Sequence, residues 1–125
     1  MPARRLAVSA LALIAVVAFP GTSTGETFRV RAAGSTPTDF SWMPDSRHIT
    51  TGNRVLWRNP TDATHRVVAY SNNWSKNSAI APGETTAKRF PNRGRYLYRC
   101  TRPGHSTLSN GECEGMCGTI HVTRS

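Results

Sequence analysis

Four residues in the second half of the chain have side chains that bind transition metals, namely His65, Cys100, His105 and Met116. Two imidazoles, one thiolate and a distant thioether form the ligand set of a type 1 copper site. The sulfur ligands are soft and suit Cu(I), whereas imidazole suits both redox states. A trigonal site with a long axial sulfur needs little rearrangement when one electron is exchanged. The four residues therefore predict a mononuclear copper site suited to one-electron chemistry.

The cysteine count constrains that prediction, because the chain has 3 cysteines. In an oxidising compartment two cysteines can pair, and the third needs a reason to remain a thiol. A disulfide from Cys100 to Cys113 or Cys117 is therefore an alternative to a metal-binding Cys100. That pairing would leave a free thiol elsewhere and would give the nearby His105 no role.

The N-terminus has the composition of a secretory signal peptide. Arg4 and Arg5 precede an apolar run over residues 6–19 that only Ser9 interrupts, and small, turn-forming residues follow over residues 20–25. This order is typical of a signal peptide, and the run is shorter than the roughly 20 residues that span a bilayer. A retained membrane anchor is the alternative. We expect a signal peptide over residues 1–25, a domain over residues 26–125, and export to the periplasm or the extracellular space.

Short strand-like segments separated by turn residues make up the rest of the chain. Apolar and polar residues alternate over residues 28–31, as in a half-buried strand. Residues 47–51 and 55–59 flank a turn at Gly52 and Asn53 and indicate a hairpin, and residues 72–78 could form one helical turn. Further strands are predicted at 65–70, 85–90, 95–100 and 118–123. This spacing predicts an all-β fold, a single Greek-key antiparallel β-sandwich.

Alternation within two strands indicates which side chains face the core. Tyr96, Tyr98 and Cys100 share one face of their strand, while arginines lie on the other, so Cys100 is expected on the core side where the strand ends. In the last strand, residues 120 and 122 point inward and His121 points outward. A lone histidine is usually a surface or hydrogen-bonded residue, and His48 and His121 are interpreted in this way.

The chain is strongly basic, with 16 Lys and Arg against 7 Asp and Glu and a formal net charge of +9. The basic residues are scattered and no nucleic-acid-binding motif is present, so no nucleic-acid partner is expected. An acidic protein partner would be attracted to such a surface. Trp42, Trp57 and Trp74 are interpreted as packing residues rather than electron relays.

Several segments resemble the cupredoxins, the blue type 1 copper proteins that include azurin and plastocyanin. Residues 100–108, CTRPGHSTL, resemble the ligand loop of azurin, and residues 115–122, GMCGTIHV, resemble the segment from the methionine ligand to the final strand. Residues 52–59, followed by His65, are similar to the strand and loop that carry the first histidine ligand. Residues 80–84 and 90–100 are similar to the middle strands of plastocyanin-like domains. Together these matches cover roughly residues 40–123.

The resemblance implies one copper ion and an electron-transfer protein rather than an enzyme. His65 and His105 would bind copper through ring nitrogens, Cys100 through its thiolate, and Met116 weakly along the axis. Asn59 would hold the loop that precedes the first histidine. We expect a monomer that exchanges single electrons with a redox partner and is not inserted in a membrane once the signal peptide is removed.

The sequence departs from the family near the axial ligand. Ser109 occupies the position at which the azurin-like loop has its methionine, so residues 109–115 are interpreted as an insertion before Met116. If Cys100 binds copper, Cys113 and Cys117 are the remaining pair. Their disulfide would tighten the inserted loop.

Two further features concern the surface near the site. Arg66 follows the first histidine, where the family often has an asparagine that latches the two ligand loops, so this latch is expected to be absent or replaced. His105 is flanked by Arg102 and Pro103 in a surface loop. Its ring edge is the expected exit for the electron, and an acidic docking face on the redox partner would fit there.

Three alternatives share parts of this pattern. A copper storage or delivery protein could use the same ligands without redox turnover, and an interaction domain could keep the sandwich without a metal. Cys113, Cys117 and His121 also have the spacing of the dinuclear purple copper site of cytochrome oxidase subunit II, which requires a methionine where this chain has Arg124. That mismatch and the outward-facing His121 disfavour a dinuclear site.

Overall fold

The computed structural model describes residues 25–125, whose regular structure consists of eleven strands. In chain order these are β1 (Thr27–Ala33), β2 (Ser41–Met43), β3 (Ser46–Thr50), β4 (Arg54–Arg58), β5 (His65–Ala69), β6 (Asn77–Ile80), β7 (Thr85–Arg89), β8 (Gly94–Arg99), β9 (Ser106–Ser109), β10 (Glu112–Gly115) and β11 (Cys117–Thr123). Over these residues there is no helix long and apolar enough to cross a membrane. Residues 1–24, which include nearly all of the predicted signal peptide, lie outside the described part of the chain.

The strands form two main sheets and one separate hairpin. The larger sheet has the order β3-β11-β8-β5-β6, the smaller sheet has the order β2-β1-β4-β7, and β9 pairs with β10. The buried faces of the two main sheets share one core, in which Trp42, Trp57 and Tyr98 are the largest fully buried side chains. The predicted all-β sandwich is confirmed, and two of its three tryptophans are core residues.

Two pairings are parallel, so the sandwich is not antiparallel throughout. β1 pairs with β4 in parallel, and β11 pairs with β3 in parallel. The predicted hairpin of residues 47–51 and 55–59 is therefore wrong, because its two strands lie in different sheets. The turn between them is bonded to both sheets: Thr51 N donates to Thr123 O at 2.9 Å and Gly52 N donates to Phe90 O at 2.8 Å. These bonds carry the chain across the sandwich instead of folding it back.

Burial follows the predicted alternation in β8 and β11. Tyr96, Tyr98 and Cys100 are buried, and His121 is exposed between two buried neighbours. The helical turn considered for residues 72–78 is not formed. Instead β6 begins at residue 77 and pairs with β5, while Trp74 packs against the core from the preceding loop.

The inserted segment before Met116 folds as the hairpin of β9 and β10. Asn110 and Gly111 connect the two strands with φ angles of 54° and 80°, the left-handed pair that a two-residue type I′ turn requires. Ser106 lies opposite Gly115, so the two ends of the hairpin meet at its base. The insertion therefore returns the chain to the ligand loop before Met116.

Candidate metal centre

The predicted ligands lie at one end of the sandwich, where four strand ends meet. His65 is the first residue of β5, Cys100 follows β8, His105 precedes β9, and Met116 stands between β10 and β11. All four are buried: His65, Cys100 and Met116 have an exposed fraction of 0%, and His105 has 8%. The strand register explains this meeting. Cys117 at the start of β11 pairs with Arg99 at the end of β8, and β5 extends past that end, because Val68 pairs with Arg99 and His65 lies beyond it.

Three of these side chains form a compact triangle of ligand atoms. Nδ1 of His65 lies 3.2 Å from Nδ1 of His105, and Sγ of Cys100 lies 3.9 Å and 3.4 Å from these two atoms. A trigonal ion held at about 2.0 Å by nitrogen and about 2.3 Å by sulfur requires edges of about 3.5 to 3.7 Å. The observed edges bracket that range, so the three atoms fit one transition-metal ion after small side-chain adjustments.

Backbone hydrogen bonds join the loops that carry these residues. Cys100 N donates to Met116 O at 3.0 Å, and Met116 N donates to His105 O at 2.8 Å. Gly115 makes this approach possible, because its φ is 95° and a Cβ there would lie 2.6 Å from His105 O. The backbones of three candidate ligands are therefore fixed relative to one another.

The cysteine sulfur is also bonded to β5. Arg66 N donates to Sγ of Cys100 at 3.3 Å. The guanidinium of Arg66 turns away and donates to Oδ1 of Asn77 on β6, at 3.2 Å from Nε and 2.6 Å from Nη2. A backbone bond thus connects the two ligand-bearing segments where the family often uses an asparagine side chain. In addition, Ser106 Oγ donates to Cys100 O within the ligand loop.

Hydrogen bonds from Asn59 fix the proton of His65. Nδ2 of the fully buried Asn59 donates to two backbone carbonyls at 2.7 and 2.8 Å, so its Oδ1 accepts from Thr61 N at 3.0 Å and Thr61 Oγ1 at 2.7 Å. With the Thr61 hydrogen donated to this oxygen, Thr61 Oγ1 accepts from Nε2 of His65, 2.8 Å away. His65 therefore carries its proton on Nε2, and its Nδ1 presents a lone pair to the other two ligand atoms.

Burial also keeps the imidazoles uncharged. Desolvation, followed by the nearby His105 and Arg102, lowers the pKa of His65 from 6.5 to about 4. Desolvation and then Arg102 lower the pKa of His105 as well. A histidine binds metal in its neutral form, so both side chains are available at neutral pH.

Two aromatic residues that the sequence analysis did not assign to the site pack against its histidines. The ring centroid of Phe40 lies 4.6 Å from that of His65 and 4.8 Å from that of His105, and Trp42 lies 6.1 Å from His65. Phe40 is 6% exposed and shields the histidines from solvent on its side. Strand β2, which follows Phe40, is three residues long, too short for alternation to mark it.

Cys113 and Cys117 form a disulfide, and Cys100 is the free thiol among the described residues. The disulfide joins β10 to the start of β11 on either side of Met116. His121, which the dinuclear alternative requires, is exposed on the outer face of its sheet and stacks on His48 at 5.2 Å. The dinuclear site is therefore not formed.

A buried thiol and two imidazoles at one end of a two-sheet β-sandwich define a cupredoxin, a copper-binding protein of all-β fold. A sequence profile of copper-binding proteins, the plastocyanin/azurin family, matches residues 29–123. The chain belongs to this family, and copper is its cofactor. No curated relative matches the sequence.

Solved structures with the same fold agree with this assignment. A novel purple cupredoxin from Nitrosopumilus maritimus is 18% identical, with a TM-score of 0.59, and the match covers 77% of this chain and 99% of that chain. A Cu(I) form of an amicyanin variant with a methionine replaced by alanine is 17% identical, with a TM-score of 0.60 and coverage of 77% and 81%. A reduced amicyanin variant with a tryptophan replaced by tyrosine is 18% identical, with a TM-score of 0.60 and coverage of 82% and 86%. At these identities the likeness establishes the fold.

Proposed function

We propose that this protein binds one copper ion through His65, Cys100, His105 and Met116 and carries single electrons between redox partners. The observation that supports the proposal best is the triangle of two Nδ1 atoms and one Sγ atom, with edges of 3.2 to 3.9 Å, in a chain of a copper-binding family. Copper bound there would supply a one-electron Cu(I)/Cu(II) couple.

The side chains around the triangle are suited to fast electron exchange because they hold it in place. Thr61 keeps the proton of His65 on Nε2, and the bonds of Met116 to Cys100 and His105 tie the remaining loops together. Met116 is the proposed axial ligand through its thioether, and Phe40 limits access of water to the histidines. A site held in this way changes little between redox states, which lowers the barrier to electron exchange.

The electron would enter and leave at His105, which alone among the four proposed ligands is partly exposed. A groove of ≈ 230 Å³ adjoins this residue, between Pro37 and Thr38 of one loop and Gly115 of the hairpin. Residues 26–125 hold 14 Lys and Arg against 7 Asp and Glu, and their net charge of +7 would attract a redox partner with an acidic docking face. The proposal includes export by the signal peptide over residues 1–25 to the periplasm or extracellular space, action as a monomer, and no catalytic residue.

Titration of the purified protein with Cu(II) tests this function. We expect one copper per chain and an intense visible absorption band from the copper–thiolate bond, and both should be lost in Cys100→Ser. His121→Ala, which changes an exposed histidine of the same chain, is the matched control and should leave both unchanged. A spectrum without this band under oxidising conditions would contradict the proposal.

A copper delivery protein with the same ligands differs in its kinetics. An electron carrier should exchange electrons rapidly between its Cu(I) and Cu(II) forms and release copper slowly to a chelator. Slow electron exchange together with rapid release would favour delivery instead.

A further inference from the structure

The end of the molecule opposite the metal centre carries a cluster of arginines, Arg93, Arg95 and Arg124, which we call the basic pole. β8 begins and β11 ends at this pole, whereas Cys100 and Met116 lie at the other ends of the same two strands. At about 3.3 Å per residue, β8 alone separates the pole from the metal centre by roughly 20 Å. The basic pole is therefore distinct from the proposed docking face at His105.

The three arginines line one surface cavity of ≈ 430 Å³, together with the exposed His121. No carboxylate lines this cavity. Within residues 25–125, none of the three guanidiniums has a hydrogen bond or ion pair. The backbone of Arg95 is held in place, because Asn73 Nδ2 donates to Arg95 O at 2.9 Å, and Tyr96 Oη donates to Asn92 O at 2.7 Å next to Arg93.

Three unpaired positive charges around one cavity repel each other unless an anion neutralises them. The planar guanidinium group binds phosphate and carboxylate oxygens through two parallel hydrogen bonds, so this cluster is suited to such anions. Because the groups are exposed and lie on a broad surface, several anionic groups presented side by side would bind better than one small ion.

The position of residue 26 indicates which anionic surface meets this pole. Glu26 N donates to Asn53 Oδ1 at 2.8 Å, and the same turn is bonded to the end of β11 through Thr51 N and Thr123 O at 2.9 Å. Residues 1–24, with their apolar run at 6–19, therefore join the domain at the pole. During export a segment of this composition contacts the membrane, and the pole is the part of the domain that lies next to it.

We propose that the basic pole binds the anionic phospholipid headgroups of a membrane surface, with the metal centre at the far end left free for a redox partner. Basic side chains near an anionic bilayer act additively, and three arginines correspond to binding that is on the order of 100-fold stronger. This inference does not depend on copper.

The test uses a chain that begins at residue 25, which contains all eleven strands and the whole described core but lacks the apolar run. Co-sedimentation is measured with vesicles of phosphatidylcholine alone and of phosphatidylcholine mixed with phosphatidylglycerol. We expect binding to the mixed vesicles, a decrease with added salt, and a loss on the order of 100-fold in the triple variant Arg93→Glu, Arg95→Glu and Arg124→Glu.

The matched control reverses the charge of three exposed arginines outside the pole and so makes the same change in net charge. Its substitutions are Arg31→Glu, Arg58→Glu and Arg102→Glu. This control should retain most of the binding, and circular dichroism should show that both triple variants are folded. Equal losses in the two variants would show that net charge alone is responsible and would overturn the proposal. Binding to polyglutamate without binding to the mixed vesicles would overturn it in favour of an acidic protein surface.

Discussion

The Thr61 hydroxyl connects Asn59 to His65, and this connection determines which ring nitrogen of His65 carries the proton. In Thr61→Val, Nε2 of His65 loses its hydrogen-bond acceptor at 2.8 Å, so protonation at Nε2 is no longer favoured over protonation at Nδ1. We expect a mixture of tautomers in the metal-free protein, observed in the nitrogen chemical shifts of the ring. Copper affinity should fall 10- to 100-fold, as for other residues that orient a metal ligand.

Thr61→Ser keeps the hydroxyl and should restore the single tautomer and the affinity. If Thr61→Val retained the wild-type nitrogen shifts, another group would be fixing the proton of His65.

The lowered pKa of His65 makes the stability of the metal-free protein depend on pH. Between pH 6.5 and about 4 the unfolded chain binds more protons at this residue than the folded chain does. The free energy of unfolding should therefore fall as the pH is lowered through this window, by about 1 to 3 kcal/mol at this residue, as measured by urea unfolding. His65→Asn should remove the contribution of this residue and leave the part that comes from the lowered pKa of His105. An equally steep dependence in the variant would assign it to other groups.

Among the strands and loops, the base of the β9–β10 hairpin leaves no room for a side chain at Gly115. Gly115→Ala adds a Cβ that would lie 2.6 Å from His105 O at a φ of 95°. Gly111→Ala, at the tip of the same hairpin, has a φ of 80° and no atom within 4 Å of the new Cβ. Both variants should lose about 1 to 2 kcal/mol to backbone strain. Gly115→Ala should lose more, and it alone should weaken copper binding, because His105 and Met116 must separate.

Urea unfolding measures the loss of stability and copper titration measures the loss of binding. Equal effects of the two variants would contradict this assignment.

The sequence predicts the strands better than it predicts their partners. Alternation in residues 95–100 correctly placed Tyr96, Tyr98 and Cys100 on the core side, because side-chain direction is a local property of a strand. Pairing is not local: the Gly52-Asn53 turn has the composition of a hairpin turn, yet hydrogen bonds to Thr123 and Phe90, distant in sequence, carry the chain to the other sheet.

For the site, the sequence supplied the residue types that bind copper and one residue that holds a ligand loop, Asn59, but not Thr61 or Phe40. A histidine or cysteine in a familiar spacing is recognisable because few residue types bind metal. Thr61 and Phe40 act through an oxygen and a ring that many positions could provide, and only the fold shows that they touch His65. Short strands such as β2 and β6, with three and four residues, also lack a periodic signal.

At the scale of the whole molecule, the net charge of +7 on residues 26–125 should control the rate at which small ions reach the metal centre. We expect the oxidation of the Cu(I) protein by ferricyanide, an anion, to slow between about 0.01 and 0.15 M salt, and oxidation by a cationic cobalt complex to accelerate. Stopped-flow measurements give both rates. If added salt instead accelerated oxidation by ferricyanide and slowed oxidation by the cobalt complex, the nearby carboxylates Glu112 and Glu114 of the hairpin would govern the approach of the oxidant, and not the net charge.

The β9–β10 hairpin, a two-stranded ribbon between His105 and Met116, lets the ligand loop change its length without changing the distance between its two ends. Residues added in opposite pairs at the Asn110-Gly111 tip would extend the ribbon by about 3.4 Å per pair, while Ser106 and Gly115 would stay across from each other. The rim beside His105 can therefore change in length and composition during evolution while the ends of the ligand loop keep their spacing.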